Sequence, residues 1–270
     1  MDYDGEFKRK SKIRWASGSY ADEVAILFPP MSSHLIRAAK VKSGDLVLDV
    51  ACGSGNTAIT ASRTGAKVVG LDITPELLDR AKKEADIAEA NNIEWKEGDA
   101  ENLPFENNSF DIVLSSVGHM FAPSPEIVTK ELIRVTKPDG SISFTTWPPE
   151  HAIGRIYDTI EKYSPPLSEY PPSPINWGIP DIINKYFENN IKSIHFERGV
   201  INIPMLSPNH YWHQMSTRYP VLGVVQSLNS KKVEDMRIDF IKAIEPFIYD
   251  NILKLDYLLT MAVKKEVFYK

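Results

Sequence analysis

The sequence predicts an α/β fold built on a mostly parallel sheet, and three observations carry that expectation. Between Leu46 and Thr146, short apolar runs with the look of strands buried on both faces alternate with stretches of helical spacing. Helices of about ten to seventeen residues between such runs require right-handed crossovers, which lay the strands parallel. A glycine-rich turn also follows the first run directly, as it does where a strand hands over to a helix through unusual backbone dihedrals.

Taken in order, the first 45 residues read as helical or irregular. Tyr20–Phe28 has near-helical apolar spacing that stops at Pro29-Pro30, and Ser32–Lys40 presents Leu35, Ile36 and Ala39 on one face. After a Ser43-Gly44-Asp45 turn, Leu46–Val50 is the first strand. Thr57–Arg63 is a helix ended by Gly65, and Ala66–Leu71 is the second strand. Thr74 suits a helix cap, with Pro75 at the first position and Glu76 facing the helix dipole in the first turn. That helix runs to Ala90, and Ile93–Glu97 is the third strand. Phe110–Ser115 is the fourth, Pro125–Thr136 a helix, and Ser141–Thr146 the fifth strand beyond a Lys137–Gly140 turn.

The rhythm breaks after Trp147, where proline clusters from Pro148 to Pro180 indicate loops and helices rather than more sheet. Ile191–Ile203 alternates as a strand, Leu206–Asn251 is helical in two or three pieces, and Tyr257–Val263 is a final strand. The expected organisation is therefore an N-terminal helical lid over residues 1–45 and a core over 46–147. Residues 148–190 and 204–252 form a cap, and 191–203 with 257–266 return two strands to the core sheet.

Composition narrows the function classes. The chain has 270 residues, 43% hydrophobic and 25% charged, an ordinary globular balance with room for a large core. A formal charge of −5 argues against nucleic acid as a partner, and the short clusters at Lys8–Lys10, Lys82–Lys83, Lys231–Lys232 and Lys264–Lys265 read as solvated faces. A single cysteine, Cys52, excludes an intramolecular disulfide. The N-terminus lacks an apolar signal segment, and no apolar run approaches the roughly 18 residues that span a bilayer, so a cytoplasmic location is expected. His210 and His213 could face one way on a helix, but no third ligand is spaced for zinc, and no metal is expected. Nothing in the composition speaks against a homodimer.

The informative segment is VLDVACGSGN, Val47 to Asn56. A buried strand carries Asp49 near its end and turns through Gly53 and Gly55 into a helix, which lets a ligand approach the backbone closely. Asp72, closing the second strand, can accept two hydrogen bonds from a ribose diol. Asp99, at the end of the third strand, can accept from an adenine amino group. Ligands sit outside the carboxyl ends of parallel strands, so the three acids converge on one crevice. Each also has a plainer reading, as a turn cap or an ordinary turn residue. An acid in a buried strand is costly unless hydrogen-bonded, however, and Thr74 already fills the cap position beside Asp72. Cys52 reads as a small packing residue rather than a nucleophile.

These segments resemble the class I S-adenosylmethionine (SAM)-dependent methyltransferases, strongly over residues 40–147, and the small-molecule group with the ubiquinone and menaquinone biosynthesis enzymes most of all. The first motif of that family corresponds to Asp49-Val50-Ala51-Cys52-Gly53-Ser54-Gly55-Asn56, its ribose acid to Asp72, and its adenine-side motif to Gly98-Asp99-Ala100. Leu103-Pro104-Phe105, Ser109-Phe110-Asp111 and Leu132–Gly140 also match its usual wording. The resemblance implies a Rossmann-like, mostly parallel seven-stranded sheet with the last strand antiparallel and a helical cap after the fifth strand. It implies SAM as cofactor, with Ile73, Leu77, Glu101 and Ser115 joining the motif residues around it, and Trp15 and Tyr20 folding over it. His119, in the loop after the fourth strand, is the candidate general base, beside its alternative as a structural or substrate-lining histidine.

The function expected is in-line methyl transfer to a small-molecule acceptor. RNA or protein as acceptor is the alternative, although Ser115-Ser116-Val117-Gly118 stands where amide and adenine methyltransferases carry an Asn-Pro-Pro-Tyr-type tetrapeptide. A non-catalytic SAM-binding regulator is another. Gly53–Ala58 also satisfies a loose dinucleotide pattern, but Asp49 before the glycines suits a pyrophosphate poorly and a dinucleotide enzyme has no need of Asp99.

Overall fold

The computed structural model describes residues 3–16, 27–164, 171–218 and 221–266. Its strands are β1 (Leu46–Val50), β2 (Lys67–Asp72), β3 (Ile93–Glu97), β4 (Phe110–Ser116), β5 (Thr136–Thr146), β6 (Ile191–Pro204), β7 (Ile248–Tyr249) and β8 (Ile252–Lys264). They form one sheet in the order β3-β2-β1-β4-β5-β8-β6, with the two-residue β7 paired to β8. The first five strands pair in parallel, and β8 runs antiparallel to both β5 and β6. This is the Rossmann-like sheet expected. Strand order reverses between β1 and β4, so their carboxyl ends part and open a crevice.

Among the described residues, the N-terminal half holds α-helices α1 (Tyr3–Ala16), α2 (Pro29–Ala38), α3 (Asn56–Ser62), α4 (Pro75–Ile87) and α5 (Pro125–Val135). Pro29 and Pro30 begin α2, where a missing backbone N–H breaks no intrahelical bond; most of the Tyr20–Phe28 stretch expected to end before them lies outside the described residues. Thr74 occupies the cap position of α4 but makes no side-chain cap bond. The Lys137–Gly140 turn is absorbed into β5, which starts at Thr136. Asp139 takes a φ of 57° there, and the register against β4 shifts between Phe110 and Ile112, a bulge rather than a break.

Residues 152–244 supply α6 (Ala152–Tyr163), α7 (Pro180–Phe187), α8 (Pro208–Ser216), α9 (Val221–Val225) and α10 (Ser230–Ile244). Tyr211 and Trp212 of α8 pack on Phe240 of α10, and Trp177 is buried where its carbonyl accepts from the Thr146 hydroxyl at 2.8 Å. No helix among the described residues is long and apolar enough to cross a membrane.

One packing lock shapes the site from below. Gly70 of β2 lies in register with Trp95 of β3, and a Cβ on Gly70 would stand 2.5 Å from the indole. The same ring would meet a Cβ on Gly55 at 2.7 Å. The indole therefore fills the space that the two glycines leave.

Candidate active site

The chain leaves β1 through three left-handed residues, Ala51, Gly53 and Gly55, at φ 54°, 55° and 88°. Ala51 holds this conformation against the preference of its side chain, and Gly118 packs so closely on it that a Cβ would stand 2.4 Å from the Ala51 carbonyl oxygen. The Cys52 N–H donates to the Leu71 carbonyl at 3.0 Å, tying the turn to β2. Asp72 then clamps it: one carboxylate oxygen accepts from the Gly53 N–H and the other from the Thr74 N–H, both at 2.8 Å. Burial raises the Asp72 pKa above its ordinary value, an effect that those two N–H groups offset only in part.

Asp49 differs. It is fully buried, neither carboxylate oxygen closes a hydrogen bond among the described residues, and burial pushes its pKa up to about 8, with the Ala58 N–H offsetting little. Burial also pushes the Cys52 thiol well up, with Asp49 and Asp72 adding to the effect, so it is no nucleophile at neutral pH.

At the end of β3, Asp99 accepts from the Glu101 N–H at 2.9 Å and from the Lys8 ammonium at 2.7 Å. Lys8 also pairs with Glu101, whose other oxygen accepts from the Ser124 N–H at 2.5 Å at the start of α5. One turn along α1, Lys12 pairs with Glu97 at 2.9 Å. Burial lowers the Lys8 pKa, but bonds to Asp99 and Glu101 outweigh it and hold the ammonium above its usual range.

The cleft so framed has a polar floor of Ala51–Ser54, Asp72, Gly98 and Asp99, with Leu71, Ile73, Leu77 and Ala100 beside it. The rest of its lining is largely apolar: Phe7 and Trp15 of α1, Phe28 before α2, and Phe121-Ala122-Pro123 after β4, with Lys8, Ser11 and Ser116 among them. Trp15 and Phe121 lie with ring centroids 5.0 Å apart, and Phe28 packs edge-on against Trp147. The arrangement suits an elongated ligand with a hydroxyl- and amine-bearing end and a reactive end kept from water.

A family profile described as "Methyltransferase domain" matches residues 48–144. The uncharacterized protein Rv1403c of Mycobacterium tuberculosis is 34% identical over 254 residues, 93% of this chain and 92% of its own length. A demethylmenaquinone methyltransferase of Lactobacillus johnsonii is 40% identical over 109 residues, 38% of this chain and 44% of its own length.

The chain belongs to the class I SAM-dependent methyltransferases. The YcgJ protein of Bacillus subtilis shares the fold, with a TM-score of 0.61 at 20% identity, over 88% of this chain and all of that one (100%).

In this methyltransferase most residues singled out from sequence meet at the cleft: Ala51, Cys52, Gly53, Ser54, Asp72, Ile73, Leu77, Gly98, Asp99, Ala100 and Trp15 line it. Others do not reach its surface. Gly55 caps α3 and seats Trp95, and Asn56 opens that helix. Asp49 lies beneath the turn. Glu101 braces the β3 loop against α5. Ser115 is buried, donating to the Val50 carbonyl at 2.8 Å and accepting from the His119 N–H at 3.1 Å, while its neighbour Ser116 faces the cleft.

His119 is displaced furthest from its expected role as a base. It is fully buried, wedged between Phe144 and Trp177 at centroid distances of 4.6 and 4.5 Å, and burial drives its pKa down to about 3. Val117, at φ 66°, turns the chain so that Gly118 and Phe121 line the cleft while His119 points into the core. Tyr20 lies outside the described residues.

Sequence reasoning missed Phe7, Lys8, Ser11, Phe28, Ala122 and Pro123 as lining residues. Phe7, Ser11 and Trp15 recur four residues apart, a helical face that the surrounding lysines and arginines obscured.

Proposed function

We propose that the cleft binds SAM and that the enzyme transfers the cofactor's methyl group to a small-molecule acceptor with an apolar or aromatic body. The observation that carries this reading is the cleft's division into a carboxylate end and an aromatic end. Fit to the cofactor is supported by the Gly53 position, where a Cβ would meet nothing within 4 Å, so the turn leaves open space above it. It is supported too by Asp49, a buried carboxyl beneath that turn with no hydrogen-bond partner among the described residues.

Asp72 would take the ribose hydroxyls, since each of its oxygens keeps a lone pair after accepting one backbone N–H. Asp99 would take the adenine amino group by the same accounting. When bound, SAM supplies a methyl carbon on a sulfonium, open to in-line displacement. The chain's part is alignment and exclusion of water by Trp15, Phe28, Phe121 and Pro123, and a dry, oriented site supplies much of the acceleration of such a displacement. A base is needed only where the acceptor carries a proton at attack, and His119 is held neutral in the core, away from that position.

The test is calorimetric titration with SAM, S-adenosylhomocysteine and NAD⁺ in parallel, followed by methyl-transfer assays on a panel of phenols, quinols, thiols and amines. Micromolar binding of the first two with turnover of any panel member is expected. Binding of NAD⁺ alone overturns the reading, and SAM binding with RNA as the only substrate transfers it to the nucleic-acid alternative.

A further inference from the structure

Helix α1 has two unlike faces. Phe7, Lys8, Ser11 and Trp15 turn inward and line the cleft, whereas Arg9, Lys10, Ile13 and Arg14 are exposed. Such a short helix gains little from isolated helix formation, so its place on the protein depends on what the inner face touches. Contacts near its two ends span long stretches of chain. Trp15 packs on Phe121, beyond β4. Lys8, two turns earlier, reaches Asp99 across 91 residues and also pairs with Glu101.

The Lys8 contact joins three walls of the cleft. Its ammonium belongs to α1, Asp99 to the end of β3, and Glu101 fastens the same loop to the Ser124 N–H that begins α5. The ammonium and both carboxylates are largely withdrawn from water, with side-chain exposures of 22%, 28% and 4%. A charge pair in that setting is screened little, and removing one member strands the others. Asp99 is also the carboxylate that the SAM reading assigns to adenine. The group that recognises the nucleobase is thus the group that holds the helix shut.

We propose that Lys8 is a positioning residue that latches α1 over the cleft through Asp99 and Glu101, and that it thereby sets how long the cofactor stays bound. The proposal rests on the reading of the cleft as the SAM site. Opening α1 exposes the ammonium and both carboxylates to water together, so release must first break this contact. Lys12–Glu97, more exposed at 38% and 53%, is a weaker accessory to it.

The experiment compares Lys8→Met, Lys8→Arg and Lys10→Met with the wild-type enzyme. Lys10 lies on the outer face and, among the described residues, pairs along the helix with Glu6, so its variant controls for the loss of charge. Two quantities are read: hydrogen exchange of residues 5–16 in the ligand-free protein, and S-adenosylhomocysteine release by stopped-flow fluorescence. Lys8→Met is expected to raise exchange in α1 and to speed release about tenfold, with association changed less than about twofold. Lys8→Arg should restore most of the residence time, and Lys10→Met should match wild type in both readings. Equal behaviour of Lys8→Met and Lys10→Met overturns the proposal, as does faster exchange without faster release. If the wild-type enzyme fails to bind S-adenosylhomocysteine, the SAM reading falls instead, and the exchange data still decide whether Lys8 holds the helix.

Discussion

Where β2 and β3 end, the cleft presents carboxylates that already hold backbone N–H groups; across from them, Trp15, Phe28 and Phe121 offer little but ring faces. The polar end is assembled from strand termini that the sheet fixes to within a hydrogen bond. The aromatic end is assembled from α1, the approach to α2 and the loop after β4, which meet only in the folded protein. One end is thus suited to recognising a ligand by direction, the other to enclosing it. Substitutions should accordingly act on binding at the first and more weakly on it at the second.

The largest effect is expected from Asp72→Ala. Loss of a carboxylate that also holds the Gly53 and Thr74 amides should weaken S-adenosylhomocysteine binding by about 2–4 kcal/mol, read by calorimetry on folded protein. An unchanged affinity would remove Asp72 from the site and erase the contrast between the two ends.

Asp49 gives the next test, through pH. Its pKa is raised by burial to about 8, so its contribution to stability is complete only below the ordinary carboxylate range, where the unfolded chain is protonated as well. That stability is lost as pH rises toward 8. Asp49→Asn has no proton to lose, so the ligand-free variant should outlast wild type at pH 8 by about 5 °C in Tm and by much less at pH 5. Parallel melting curves at the two pH values would show the carboxyl to be partnered after all.

At the aromatic end, Phe121→Ala should weaken S-adenosylhomocysteine by less than about tenfold while altering Trp15 emission, because the two rings touch. A loss as large as that of Asp72→Ala would mean that the aromatic wall holds the cofactor rather than the acceptor. Smallest of all, His119→Phe should leave methyl transfer within about threefold of wild type. It replaces a neutral ring with two unpartnered nitrogens by an apolar ring among Phe144 and Trp177. A collapse of kcat with unchanged Tm would restore His119 as a base.

The same contrast explains what the sequence made legible. The five parallel strands were readable from local patterns of short strand-forming runs, and the acids from their place at the carboxyl ends of β2 and β3 and beside the glycine turn after β1. Strand β8 was readable only from Tyr257. Its second half is buried on both faces and shows as a continuous apolar run, whereas Lys254 and Asp256 alternate outward in the first half. His119 was misplaced because one left-handed residue, Val117, decides which side chains of a short loop face outward. Lys8 read as a solvated charge because its partners lie about ninety residues away, and no local spacing announces an ion pair closed by the fold.

The lock between Gly70 and Trp95 bears on how such a sequence can change. A side chain at position 70 collides with the indole, so it is tolerated only after residue 95 has become smaller. The reverse step comes first at the cost of a cavity, which later substitutions at 70 can fill. The two positions are therefore epistatic, and mutation can travel this path in one order only.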